Sequence, residues 1–205
     1  MRIIAGSLRG RNLKSPAGEG CRPAMGRTRE ALFSMLEARG LCWSAARVLD
    51  LFAGSGSLAF EAVSRGAPMA VLVEQAPHIL RCLEANVQML DVAGQVRIVR
   101  EDVTRFLRRG VEEPFDMIFL DPPYRKGYTD SCLAGIVARD WLVPEGLVSA
   151  EIEKDLQVKT PAGLELLAER LFGQTRVCIW RKSPSPVQGP TEQKQIEKEQ
   201  TGGQA

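Results

Sequence analysis

An aspartate, two prolines and a tyrosine stand together at Asp121, Pro122, Pro123 and Tyr124, directly after the apolar run Phe115 to Leu120. Prolines lack the N–H that a central strand must donate, so the run has to end there in a stiff turn. Such a turn leaves the Asp121 carboxylate and the Pro122 carbonyl as two neighbouring acceptors. The exocyclic amine of a nucleobase is a poor nucleophile, because its lone pair is delocalised into the ring. Two acceptors on its two N–H groups would hold the nitrogen, favour a pyramidal geometry and aim the lone pair at a methyl donor. Positioning and electrostatics carry such a transfer, and no covalent cysteine is needed. Tyr124 suits stacking on a base that is flipped out or unpaired. The plainer alternative is a strand-ending turn with a surface tyrosine.

A second constellation precedes it. Asp50, Phe52, Ala53, Gly54, Ser55 and Gly56 form a short apolar strand running into a glycine loop. Glycines there permit a tight turn and a close approach of backbone to ligand. Gly54, Gly56 and Ala59 also fit a dinucleotide-binding pattern, with Glu74 where a ribose carboxylate would fall. The loop alone therefore admits either a nicotinamide dinucleotide or S-adenosylmethionine. Asp50 tilts the balance, because a carboxylate opposes a pyrophosphate and suits a ligand bearing an ammonium and a sulfonium. Glu74 could accept both ribose hydroxyls. Asp102 could accept from an adenine amine, although an acid at a strand end is as often a cap for the next helix.

Both constellations need a scaffold. From Arg47 onward, apolar runs alternate with amphipathic stripes: strands at Val48–Phe52, Ala70–Glu74, Val96–Val99, Phe115–Leu120 and Leu147–Ile152, with helices between them. That alternation predicts an α/β fold with a doubly wound, mostly parallel sheet. Leu164–Leu171 and Thr175–Trp180 predict a closing antiparallel hairpin. An earlier helix is expected over Thr28–Arg39. Three segments result: a basic N-terminal arm and helix (1–40), a Rossmann-like domain (41–182), and a Ser-, Pro-, Gln- and Glu-rich tail (183–205) expected to be disordered. In such a sheet ligands bind at the carboxyl ends of the strands where the winding reverses, which brings Asp121 beside the glycine loop.

The 205 residues carry a formal net charge of only +2. Their distribution is uneven, since residues 1–30 hold seven cationic side chains against two acids, a net +5. Arg9, Arg11, Arg22, Arg27 and Arg29 are the candidate phosphate contacts in that arm. The five cysteines form no paired motif and His78 stands alone, so no zinc site with ordinary spacing can be written. Scattered cysteines fit a reducing cytoplasm. No signal peptide or membrane span is expected, because arginines interrupt the start and no apolar run is long enough.

The run Arg2-Ile-Ile-Ala-Gly-Ser-Leu-Arg-Gly-Arg11, then Arg22-Pro23, Arg27 and Arg29-Glu-Ala-Leu-Phe33, resembles the bacterial RsmD family. Asp50 to Leu58, Glu61-Ala62, Ser64 to Ala67, Asp116, Ile118 to Tyr124 and Phe172-Gly173 continue the likeness, which covers about residues 1–182. The resemblance implies a class I S-adenosylmethionine methyltransferase, monomeric, acting on the N2 amine of a guanine in 16S rRNA within an assembling 30S particle. It implies Asp50, Gly54, Glu74 and Asp102 on the cofactor and Asp121 to Tyr124 on the guanine, with no metal. The family pattern Arg-Pro-Thr-x-Asp-Arg is altered, with Ala24 at the threonine and Gly26 at the acid, and Gln75 follows Glu74 where Lys or Arg is usual. Rival readings are a DNA or other RNA amino-methyltransferase acting on adenine or cytosine, an NAD-dependent oxidoreductase, and a non-catalytic RNA-binding factor.

Overall fold

The computed structural model describes residues 1–15, 23–111, 113–123 and 127–183, with the side chains of 23–25 left aside. Runs of four to six residues, too short for helices, become the first four strands: β1 Arg47–Asp50, β2 Met69–Glu74, β3 Val96–Arg100 and β4 Phe115–Leu120. The longer β5 Leu142–Glu153, β6 Leu164–Phe172 and β7 Thr175–Lys182 complete one seven-stranded sheet in the order β3-β2-β1-β4-β5-β7-β6. The first five positions in that order pair in parallel, and β7 pairs antiparallel with both β5 and β6. The doubly wound sheet and its closing hairpin are those expected.

Strands buried on both faces read as continuous hydrophobic runs. In β4, Met117 and Phe119 turn to one layer while Ile118 and Leu120 turn to the other. The first layer is roofed by α1 (Pro23–Glu37), α2 (Ser57–Ser64) and α3 (Pro77–Leu90) through Leu32, Phe33, Leu36, Phe60 and Leu83. The second is roofed by α4 (Val103–Leu107) and α5 (Tyr128–Ala138) through Phe106, Leu133 and Ile136, with Trp141 and Trp180 beside them. No helix among the described residues is long and apolar enough to cross a membrane.

Several boundaries differ from expectation. Helix α1 begins at Pro23 rather than Thr28, since proline suits a first turn where its missing N–H has no partner to lose. Helix α5 stops at Ala138, not Trp141, because Asp140 turns left-handed (φ 52°) and the Trp141 N–H returns to the Ile136 carbonyl at 3.0 Å. Strand β5 starts five residues early, at Leu142, across an irregularity in its pairing with β4. Strand β1 ends at Asp50, and Leu51 and Phe52 already belong to the turn. Residues 184–205, nearly all of the expected tail, lie outside the described residues.

The N-terminal arm is fastened to the same core. Arg2 and Asn12 pair antiparallel, and Ile3 and Leu13 are buried. Glu61, with no exposure at all, accepts the Ile4 and Ala5 N–H groups at 2.7 and 3.0 Å. It also accepts from the Arg65 Nε at 3.0 Å and faces Arg29 at 3.9 Å. The Ser64 hydroxyl donates to the Ala5 carbonyl and accepts the Leu8 N–H, and a Cβ at Gly6 would sit 1.7 Å from the Ser64 carbonyl oxygen. Only glycine permits that approach. Removing one member of a buried charge cluster leaves its partner uncompensated. Glu61→Ala is therefore expected to cost about 3 kcal/mol in urea denaturation and to open the arm to limited proteolysis. Arg100→Ala, from an exposed pair with Glu84, should change stability by less than about 1 kcal/mol.

Candidate active site

The strand order places β1 between β2 and β4, so the chain winds outward in both directions from the β1/β4 pair. Asp50 closes β1 opposite Phe119 of β4 and Leu72 of β2. Its carboxyl is 1% exposed, and burial, opposed by hydrogen bonds from the Ala59 and Phe52 backbones and aided by the charge of Glu74, pushes it up to about 7. Ala59 lies in the first turn of α2, where N–H groups lack intrahelical partners. Asp50 thus caps a helix from a neighbouring strand, and favours the positive end of that helix dipole. Its Oδ1 is buried without a hydrogen-bond partner among the described residues. A buried polar atom left in that state needs a partner, and a cationic group on a ligand fits this one.

The loop after Asp50 keeps contact with both neighbouring strands. The Leu51 N–H reaches the Phe119 carbonyl and the Ala53 N–H the Val73 carbonyl, each at 3.1 Å. Gly54 and Gly56 then take positive φ, 53° and 81°. The two glycines differ in surroundings. A Cβ at Gly56 would lie 2.3 Å from the Phe60 ring and 2.7 Å from Leu83, whereas one at Gly54 would come no nearer than 4.0 Å to anything. Gly56 is packed against the core, and Gly54 is open toward the space above the strand ends. Ser55 is buried, and its carbonyl accepts from Asn86 Nδ2 at 3.0 Å.

Glu74 ends β2, and its two oxygens grip the loop and the next turn. Oε2 accepts the Gly54 N–H at 3.3 Å, and Oε1 accepts the Gln75 and Ala76 N–H groups at 2.8 Å. Oε2, with one donor, keeps a second lone pair for a hydroxyl. Asp102 follows β3 and acts as the cap of α4, with Oδ1 taking the Arg105 N–H at 3.0 Å and the Thr104 hydroxyl at 2.5 Å. The Thr104 hydrogen bond leads in holding its carboxyl below the usual range. The cap role weighed against adenine recognition is thus the one seen.

Asp121 and the buried Pro122 extend β4 past its last ladder partner, between the glycine loop and β5, where Leu120 pairs with Ala150. Pro123 is exposed, and Tyr124 lies outside the described residues. The chain resumes at Gly127, left-handed at φ 65°, which starts α5. There Tyr128 meets Phe52 with ring centroids 5.5 Å apart. One aromatic pair therefore bridges the loop after β1 and the helix after β4.

The arm arginines separate into groups. Arg9 and Arg27 are exposed, and Arg11 is exposed while donating to the Met89 carbonyl at 2.6 Å. Arg22 lies outside the described residues. Arg29 corrects the expectation of an RNA contact: it is 4% exposed, donates to the Arg2 carbonyl and faces Glu61. It is an internal tie between arm and α2. Three further residues carry the site without having been singled out. Glu61, Ser64 and Asn86 are buried polar groups in helix stripes that are otherwise apolar; that mismatch signals all three, and the family likeness also includes Glu61 and Ser64. Asn86 also accepts the Lys14 N–H at 2.8 Å and donates to the Lys14 carbonyl at 2.9 Å, so one amide ties the arm to the glycine loop. No group of three or more metal-binding side chains occurs among the described residues.

The family described as Conserved hypothetical protein 95 matches residues 1–181. Ribosomal RNA small subunit methyltransferase D of Haemophilus influenzae is 36% identical over 175 residues, 84% of this chain and 89% of that one. The protein of the same name from Escherichia coli is 35% identical over 184 residues, 89% of this chain and 90% of that one. The chain belongs to the RsmD family. The solved structure of the Escherichia coli protein yhhF superposes with a TM-score of 0.79 at 35% identity, covering 90% of this chain and 99% of that one. The fold is that of class I methyltransferases. RsmD membership spans the arm as well as the sheet, in keeping with their shared core. Gly56→Ala, strained at positive φ and colliding with Phe60, should lower Tm by several degrees and abolish any thermal shift with the methyl donor.

Proposed function

We propose that this chain methylates the N2 amine of a guanine in small-subunit 16S rRNA with S-adenosylmethionine as donor. The observation that carries the reading is the placement of Asp121-Pro122 at the end of β4, beside the strand that ends in Asp50. The relatives named as small-subunit ribosomal RNA methyltransferases support the substrate class. When bound, S-adenosylmethionine supplies a methyl group on a positively charged sulfur, which is a good leaving group. The ionised Asp50 answers the cationic end of that molecule with its unpartnered Oδ1. Glu74 would accept a ribose hydroxyl at Oε2, the loop through Phe52, Ala53, Gly54, Ser55 and Gly56 would line the bound molecule, and the remaining capacity of Asp102 would face the adenine amine.

On the substrate side, the Asp121 carboxylate and Pro122 carbonyl hold the two N–H groups of the guanine amine. So held, the nitrogen lone pair would be aimed at the methyl group that S-adenosylmethionine would supply, and the Asp121 carboxylate would take up the proton that the nitrogen loses. Tyr124 stacks on the extruded base. The Asp50 carboxylate at the end of β1 disfavours the pyrophosphate of an oxidoreductase's dinucleotide. The protein works as a monomer in the cytoplasm, on an assembling 30S particle.

Labelled S-adenosylmethionine and 30S particles from an unmodified strain test the reaction. Label is expected in N2-methylguanosine after digestion to nucleosides, and label in another nucleoside would redirect the substrate assignment. Asp121→Ala should lower kcat at least about 100-fold while leaving donor affinity within about twofold. Donor affinity should also rise with pH through about 7 as Asp50 ionises, because the charged carboxylate is the form that attracts a cation. Asp50→Asn should flatten that profile.

A further inference from the structure

One outward face of α1 forms the wall of a cavity of about 480 Å³, bounded by Arg27, Arg39 and Arg170. Along the helix its lining falls at the spacing of a single stripe, with Arg27 at one end, small residues such as Ala31, Ser34 and Ala38 as floor, and Arg39 just past the other end. Arg27 to Arg39 spans about 18 Å at the rise of a helix. The opposite wall is Arg170 on the edge strand β6, whose guanidinium lies over the Phe172 ring at 5.2 Å from its centroid. Arg39 is likewise held, donating to the Met35 carbonyl at 2.7 Å. Glu30 is the single acid among the lining residues. Three guanidinium groups thus come from the start of α1, the turn beyond it and a strand far along the chain.

The groove also points toward the chemistry. Arg170 pairs with Val177, which pairs with Glu151, the residue after the Ala150 that pairs with Leu120. Arg170 therefore stands at the height of Asp121 in the sheet, three strand spacings away, or about 14 Å. Its partner Val177 belongs to the layer that α1 roofs, so the groove and the sheet end share one side of the molecule.

We propose that this α1–β6 groove binds the sugar–phosphate backbone of the substrate RNA and leads the strand to the Asp121 edge. The inference rests on the reading of the chain as an RNA methyltransferase. Its charge suits an anion, and its length, with cations at both ends and along the opposite wall, suits an extended polyanion more than a compact one. Ordering of Arg39 and Arg170 by a carbonyl and by a ring lowers the entropy lost on binding. Arg11 is tied to the Met89 carbonyl on α3, whereas the groove lies between α1 and the edge strand β6.

The test compares the full chain with Arg27→Ala/Arg39→Ala/Arg170→Ala for binding to protein-free 16S rRNA across a salt series. Loss of three phosphate contacts should reduce the slope of log affinity against log salt by about 2. The KM for RNA should rise about tenfold or more, with kcat at saturating RNA within about twofold of the parent. Glu30→Gln should tighten binding. The thermal shift with S-adenosylmethionine should match the parent, which shows an intact fold. Unchanged slope and affinity in the triple variant, with the parent binding RNA, would overturn the groove alone. A parent that takes up S-adenosylmethionine but binds no RNA would overturn the RNA reading and the groove with it.

Discussion

A carboxylate shut away from water at the end of the central strand is the constraint around which the site is built. An ionised group buried without compensation is strongly disfavoured. Asp50 has partial compensation, from two backbone N–H groups, and one oxygen is left without a partner. A cationic group on a ligand would supply the partner that this oxygen lacks. The neighbouring features follow from holding the carboxylate in place. Strand β1 stops at Asp50 so that its side chain can reach the first turn of α2. Two left-handed glycines then reverse the backbone within five residues, and Gly56 is packed so tightly against Phe60 that no larger residue fits.

The same geometry explains why the N-terminal arm is part of the enzyme's core. Glu61 and Ser64 lie on α2, the helix that the glycine loop starts, and both hold the arm's backbone. Asn86 holds Lys14 with one side of its amide and the Ser55 carbonyl with another donor. Arm and loop are consequently one piece, and disturbance of either reaches the other through buried hydrogen bonds. Arg29 belongs to this internal system, opposing Glu61 and also lowering the Glu151 carboxyl that burial raises. Its charge stabilises carboxylates inside the protein, while the exposed Arg9, Arg11 and Arg27 face outward.

What could be read from residues alone followed physical strength. Strand β4 runs from Phe115 to Leu120 as expected, because a continuous apolar run ended by two prolines leaves no other choice. Helix α3 starts at Pro77 for the matching reason. The adjacency of β1 and β4, and so of the glycine loop and Asp121, followed from the winding rule for such sheets. Less legible features depend on distant contacts. The early start of β5 rests on pairing with β4 across an irregular register, and nothing local announces it. Arg29 looks like any basic residue until Glu61, 32 positions later, is folded against it. Asp102 kept two readings open because a strand-end acid and a helix cap occupy the same place in the chain, and the structure shows the cap through Thr104 and Arg105.

On the proposed function, Asp50 is kept for the cation of the methyl donor. Calorimetric titration of S-adenosylmethionine at pH 7, in two buffers of different ionisation enthalpy, tests it most directly. A carboxyl at about 7 is half protonated there, so binding of a cation beside it should release about half a proton more than in Asp50→Asn. Identical proton release in the two proteins would place the donor's positive charge away from Asp50 and overturn this role for the carboxylate.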